Sequence, residues 1–162
     1  MQTSESVKEA AFAAGCFWGV EARFMEVEGV VDTEVGYMGG IKEEPAYKEV
    51  CSGKTGHAET VHLFYDPNKV SYHELLETFW SMHNPTTPNR QGVDVGTQYR
   101  SVIFYYDQEQ RELAERSKEA LDASGRYKKK VVTEIVPAPK FWMAAEYHQR
   151  YFEKKGGGTC HV

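Results

Sequence analysis

Between Lys8 and Val27 the hydrophobic pattern changes period across a single glycine. Lys8 to Ala14 is a short apolar run of strand length, whereas Phe17, Val20, Phe24 and Val27 recur at the spacing of one helix face from Cys16 to Val27. Gly15 marks the turn between the two. A strand that passes directly into an amphipathic helix points to a fold in which sheet and helices share one core.

The rest of the chain supplies the partners. Val30 to Tyr37, Ala58 to Tyr65, Tyr99 to Tyr106 and Val131 to Val136 read as strands, and Gly39-Gly40 opens a polar, Pro-containing surface loop to Tyr47. Ser71 with Glu74 three residues on is a capping-box pattern that starts a helix carrying Leu75, Leu76 and Phe79 through Trp80 or Met82, before Pro85. Asp107 caps a second helix, Gln108 to Ala123, ended by Gly125. Residues 84–98, rich in Asn, Pro, Thr, Gly and Gln, read as a long irregular loop of the kind that tends to carry function. After Pro137 and Pro139, the stretch Phe141 to Glu153 predicts a final amphipathic helix, and Gly156-Gly157-Gly158 releases a flexible tail, 154–162, that bears Cys160.

Strands and helices interleave without the regular alternation of a doubly wound sheet, so the expected class is α+β, a two-layer α/β sandwich whose strand order is not legible. A length of 162 residues fits one domain spanning 1–162. Lys and Arg number 19 against 24 Asp and Glu, and no basic stripe runs along the chain, so nucleic acid is not an expected partner. No apolar run reaches the roughly 18 residues that span a bilayer, and Met1 to Glu9 is polar, so neither membrane nor signal peptide is expected. The expected setting is therefore a reducing cytoplasm, where Cys16, Cys51 and Cys160 rest as thiols and any disulfide is transient.

Several signatures are missing. The chain has no Cys-x-x-Cys, His-Glu-x-x-His or Gly-x-Ser-x-Gly. Gly53-Lys54-Thr55 imitates the end of a P-loop, but Lys48 stands where the first glycine is required. Cys51, His57 and His62 lack the paired spacing of a metal site, so neither metal nor cofactor is expected.

Cys16 follows a glycine turn at a helix start, where unpaired backbone N–H groups and the helix dipole favour a thiolate and lower its pKa. A buried structural cysteine is the competing reading of that position. Phe17 and Trp18 are adjacent aromatics, an arrangement that suits a pocket wall better than a helix packing only inward. Glu59, in the strand Ala58 to Tyr65, is either an inward carboxyl, desolvated and able to carry a proton, or an outward edge residue; alternation alone does not decide.

Five segments in register carry a resemblance: Gly15-Cys16-Phe17-Trp18-Gly19; Val35-Gly36-Tyr37-Met38-Gly39-Gly40; Thr55-Gly56-His57-Ala58-Glu59; the run from Asn89 to Ser101; and Ala145-Glu146-Tyr147-His148-Gln149. Together, from about Ala11 to His161, the chain resembles peptide methionine sulfoxide reductase A. The resemblance sharpens the expected fold to a mixed central sheet with a ferredoxin-like-related core. It implies thiol-dependent reduction of methionine S-sulfoxide, free or in proteins, with Cys16 as nucleophile and Glu59 as proton donor. Tyr47 and Tyr99 match hydroxyl donors to the sulfoxide oxygen, Asp94 a supporting carboxylate, and Phe17 and Trp18 the cup for the substrate methyl. Cys160 is implied as the resolving cysteine, thioredoxin as the reductant and a monomer as the working form. Cys51 is expected to be a bystander or backup thiol, and His148 and Trp142 are read as packing on the last helix.

Overall fold

The computed structural model describes residues 7–149 and 151. Strand β1 (Lys8–Ala14) runs into Gly15, whose φ of 102° lies where only glycine is unstrained, and helix α1 (Phe17–Met25) follows at once. The chain continues through β2 (Val30–Met38), a short α2 (Tyr47–Cys51), β3 (Ala58–Tyr65), α3 (Tyr72–Ser81), the two-residue strands β4 (Arg90–Gln91) and β5 (Asp94–Val95), and a 3-10 turn at Thr97–Tyr99. It ends with β6 (Ser101–Tyr105), α4 (Gln108–Ala123), β7 (Glu134–Pro137), β8 (Trp142–Met143) and a second 3-10 turn, Glu146–His148.

The main sheet has the order β7-β6-β1-β3-β2-β8. All its pairings are antiparallel except β6 with β7, so the sheet is mixed. Strands β1 and β2 both lie antiparallel to β3 and enclose it, with α1 connecting them; β3 and β6 enclose β1 in the same way, with α3 in the connection. Two interlocked split βαβ units are the ferredoxin-like arrangement, and β7 and β8 extend its two edges.

Strand periodicity sorts β1 between two cores. Ala10, Phe12 and Ala14 join the cluster that contains Val20, Phe24, Leu75, Leu76, Phe79 and Ala114 from the helices. Ala11 and Ala13 point the other way, to Met38, Ala58, Val102 and Phe104, covered by Val136, Ala138 and Phe141. Burial on both faces is why β1 reads as a continuous apolar run. Phe12 anchors the helical side, its ring 5.1 Å from Phe24 and 5.3 Å from Phe79.

The helix starts follow their expected chemistry. Ser71 Oγ accepts from the Glu74 N–H at 3.1 Å while Glu74 Oε1 accepts from the Ser71 N–H at 3.1 Å, and Asp107 Oδ1 accepts from the Gln110 N–H at 2.8 Å. Among the described residues no helix is long and apolar enough to cross a membrane.

Five local expectations are corrected. The helix expected over Phe141 to Glu153 is instead strand β8 and a 3-10 turn as far as His148, and residue 150 and those from 152 on lie outside the described residues. The sheet edge overrides the amphipathic pattern: Gly36 and Tyr37 pair with Met143 and Trp142, and Gln149 is bound to Val35. The surface loop expected to reach Tyr47 ends before it, because Tyr47–Cys51 is helical, its start closed by Glu49 Oε1 accepting from the Ala46 N–H at 2.9 Å. Tyr99 belongs to a 3-10 turn, with the strand beginning at Ser101, and residues 84–98 contain the β4–β5 hairpin. Val131 and Val132 are not in a strand; their N–H groups go to Asp122 Oδ1 and the Pro85 carbonyl, both at 2.8 Å.

Candidate active site

Cys16 is the N-cap residue of α1 and is only 8% exposed. Its neighbour Phe17 is the first helical residue, and the Phe17 N–H donates to Glu59 Oε1 at 3.2 Å. That donor is one of the backbone N–H groups that a helix leaves unpaired at its start. The register explains the meeting. Tyr37 of β2 lies opposite Glu59, on the same side of β3 as Val61 and Leu63, the side that α1 covers. Glu59 is therefore an inward carboxyl on a central strand, 1% exposed, and the outward edge reading is excluded.

Aromatic rings wall the site. Phe17 stands 5.7 Å from Tyr37 and 6.5 Å from both Trp18 and Tyr47. Tyr151 stacks on Trp18 with centroids 3.9 Å apart and planes 10° from parallel. His148 sits among them, 4.6 Å from Tyr47, 5.4 Å from Phe17 and 5.6 Å from Trp18, and its Nδ1 accepts from the Trp18 Nε1–H at 3.0 Å.

The tyrosine hydroxyls hold their protons. Burial pushes Tyr47 well above the ordinary phenol range, and a hydrogen bond to Cys51 and the charge of Glu59 push it further. Burial also raises Tyr99, followed by the charges of Glu59, Cys51, Asp94 and Cys16. Tyr99 thus lies within electrostatic reach of the carboxyl, of Asp94 on β5 and of two thiols. Each hydroxyl can therefore donate a hydrogen bond.

Two further residues reach the site. Cys51 closes the single turn of α2 four residues after Tyr47, which brings its thiol to the Tyr47 hydroxyl and near Glu59; burial raises its pKa despite its exposed position. His148 is 130 positions from Trp18, and nothing local in the sequence announces their bond. Cys160 lies outside the described residues. Among the described residues no three His, Cys, Asp or Glu side chains gather as metal ligands.

A thiol at a helix start, a buried carboxyl bonded to the next residue and two protonated hydroxyls are the groups that thiol chemistry with assisted proton transfer requires. The model of the family described as peptide methionine sulfoxide reductase matches residues 8–162. A protein of Methanoculleus marisnigri named peptide methionine sulfoxide reductase MsrA is 59% identical over 160 residues, 99% of this chain and 98% of that protein. The crystal structure of Mxr1 from Saccharomyces cerevisiae in reduced form superposes with a TM-score of 0.90 at 35% identity, over 99% of this chain and 92% of that one. Mxr1 in complex with Trx2 gives a TM-score of 0.66 at 25% identity, over 93% and 88%. The chain belongs to the peptide methionine sulfoxide reductase A family and is an oxidoreductase.

Proposed function

We propose that this chain reduces the S epimer of methionine sulfoxide, free or in proteins, through a Cys16 sulfenic acid that Cys160 resolves and thioredoxin recycles. The observation that carries the reading is the 3.2 Å bond from the Phe17 N–H to Glu59 Oε1, because it sets the carboxyl against the residue that follows Cys16.

The sulfoxide oxygen is a poor leaving group until it is protonated. Glu59 gives it a proton, and the Tyr47 and Tyr99 hydroxyls, with Asp94 supporting Tyr99, hold it as charge develops. The Cys16 thiolate attacks the sulfoxide sulfur, the S–O bond breaks, and the oxygen ends on the Cys16 sulfur as sulfenic acid while methionine leaves. Two electrons pass from the cysteine sulfur to the methionine sulfur. Phe17 and Trp18 form the cup for the methyl group, so methyl and oxygen are sent to different walls and one epimer fits. A cavity of about 390 Å³, lined in part by Tyr47, His148 and Met143, adjoins the cluster and gives room for more of a polypeptide than one side chain.

The Cys160 thiol then attacks the sulfenic sulfur, water leaves, and a disulfide forms. A dithiol such as thioredoxin reopens the disulfide by exchange, a role supported by the complex of the similar Mxr1 with Trx2.

The test mixes reduced protein with the separate S and R epimers of a methionine sulfoxide peptide, without reductant, and follows methionine and thiols by mass spectrometry. The S epimer alone is consumed, to about one equivalent, and a Cys16–Cys160 disulfide appears. Reduction of neither epimer while peroxide oxidises Cys16 would hand the site to peroxidase chemistry. A Cys160→Ser protein that still forms an internal disulfide at the normal rate would transfer the resolving role to Cys51.

A further inference from the structure

His148 is 1% exposed, and its ring lies within 6 Å of Phe17, Trp18 and Tyr47 together. An indole N–H can donate but cannot accept, so the 3.0 Å contact requires a lone pair on His148 Nδ1. The ring is therefore neutral and carries its proton on Nε2. Burial holds its pKa below the ordinary imidazole range, which agrees.

The next residue fastens the ring in place. Gln149 Oε1 accepts from the Val35 N–H at 2.8 Å, and its Nε2 donates to the Val35 and Ala144 carbonyls, each at 2.9 Å. A side-chain amide takes the place of a strand beside β2, just where β8 has ended at Met143. His148 is thus tied to the sheet through Gln149, and Trp18 is tied to the sheet through His148. Trp18 itself is only half-buried, near the start of a nine-residue helix, and has stacking partners but no second polar anchor among the described contacts.

We propose that His148 is a positioning residue for the substrate cup: as the neutral Nε2–H tautomer it holds the Trp18 indole at the angle that admits the methyl group of one sulfoxide epimer. The proposal rests on the reading of Phe17 and Trp18 as that cup. In this role His148 acts through Trp18 and not on the reacting atoms. Its effect falls on substrate binding and epimer choice, and the Cys16 step proceeds once the substrate is seated.

Three variants separate this role from simple packing. H148L fills the space without an acceptor, H148N returns an amide oxygen to the place of Nδ1, and H148F restores ring stacking alone. The H148L and H148F proteins are expected to raise KM for the S-sulfoxide by about tenfold with kcat little changed, the size of one lost buried hydrogen bond, and to narrow the preference for S over R. H148N is expected to recover most of both. In the wild-type protein the Trp18 indole N–H resonance, assigned by its loss in W18F, should show the downfield shift of a hydrogen bond that H148F abolishes and H148N retains.

A wild-type protein that forms no methionine from the S-sulfoxide overturns the reaction and this role with it. A wild-type protein that does form methionine, while H148F keeps wild-type KM and epimer preference, overturns the positioning role alone. If neither apolar variant folds, a Trp18 indole N–H in the wild type without a hydrogen-bonded shift overturns it just as directly.

Discussion

Replacing Glu59 with Gln and with Leu separates what this carboxyl does for the fold from what it does for the reaction. Glu59 is fully buried, and its Oε1 takes the backbone N–H of Phe17 at the open end of α1. Gln keeps an oxygen in that place, so E59Q leaves the helix start satisfied and should change stability by less than about 1 kcal/mol. Leu strands the Phe17 N–H in a dry site, which costs about 1–3 kcal/mol for the unpaired donor. The chemistry has the opposite pattern, because neither replacement can give a proton to the sulfoxide oxygen. Loss of a positioned acid is worth about 10²–10⁴ in rate, or about 3–5 kcal/mol of barrier, and both variants should lose it. Urea unfolding measures the first effect, and single-turnover methionine formation at saturating S-sulfoxide measures the second. An E59Q protein within threefold of the wild-type rate would remove Glu59 as the acid, and an E59Q protein as unstable as E59L would show that the Phe17 bond does not anchor α1.

Three further outcomes follow from named contacts. Trp18→Ala should raise KM and erode the preference for the S epimer far more than it slows alkylation of Cys16, and unchanged KM and epimer ratio would remove Trp18 from the cup. Gln149→Leu deletes three bonds to the backbone of β2 and of residue 144, so unfolding should become easier by about 2–4 kcal/mol, with loss below about 1 kcal/mol showing that the amide is replaceable by water. His148 binds a proton less readily when folded than when unfolded, so its share of the stability is present above the unfolded imidazole value of about 6.5 and is lost as pH falls below it. Unfolding curves from about pH 7.5 down to about pH 5 should therefore fall more steeply for the wild type than for H148N, and parallel curves would refute the linkage.

Much of this molecule follows from local pattern. The limits of β3 and α4 agree with those read from the chain, as do the caps at Ser71 and Asp107, because hydrophobic period and capping chemistry act within a few residues. The turn at Gly15 and the exposure of Cys16 to a helix start belong to the same class, since strand, glycine and helix are consecutive. Family likeness added Glu59, Tyr47, Tyr99 and Asp94 as a set, although their spacing along the chain gives no reason for them to meet.

Tertiary structure decided the rest. Strand alternation could not say whether Glu59 faces in or out; the central place of β3 between β1 and β2 decides it, because both sides of that strand are covered. The stretch after Phe141 carries a helical pattern, yet the open edge of β2 and the Gln149 amide draw it into extended backbone, since unpaired strand groups gain more from those partners than one amphipathic face gains from packing. Tyr47 meets Cys51 because a single helical turn forms directly after the surface loop. Trp18 meets His148 across 130 residues, a contact with no local signature, because a hydrogen bond between two side chains depends on where the sheet delivers them and leaves no period in the sequence.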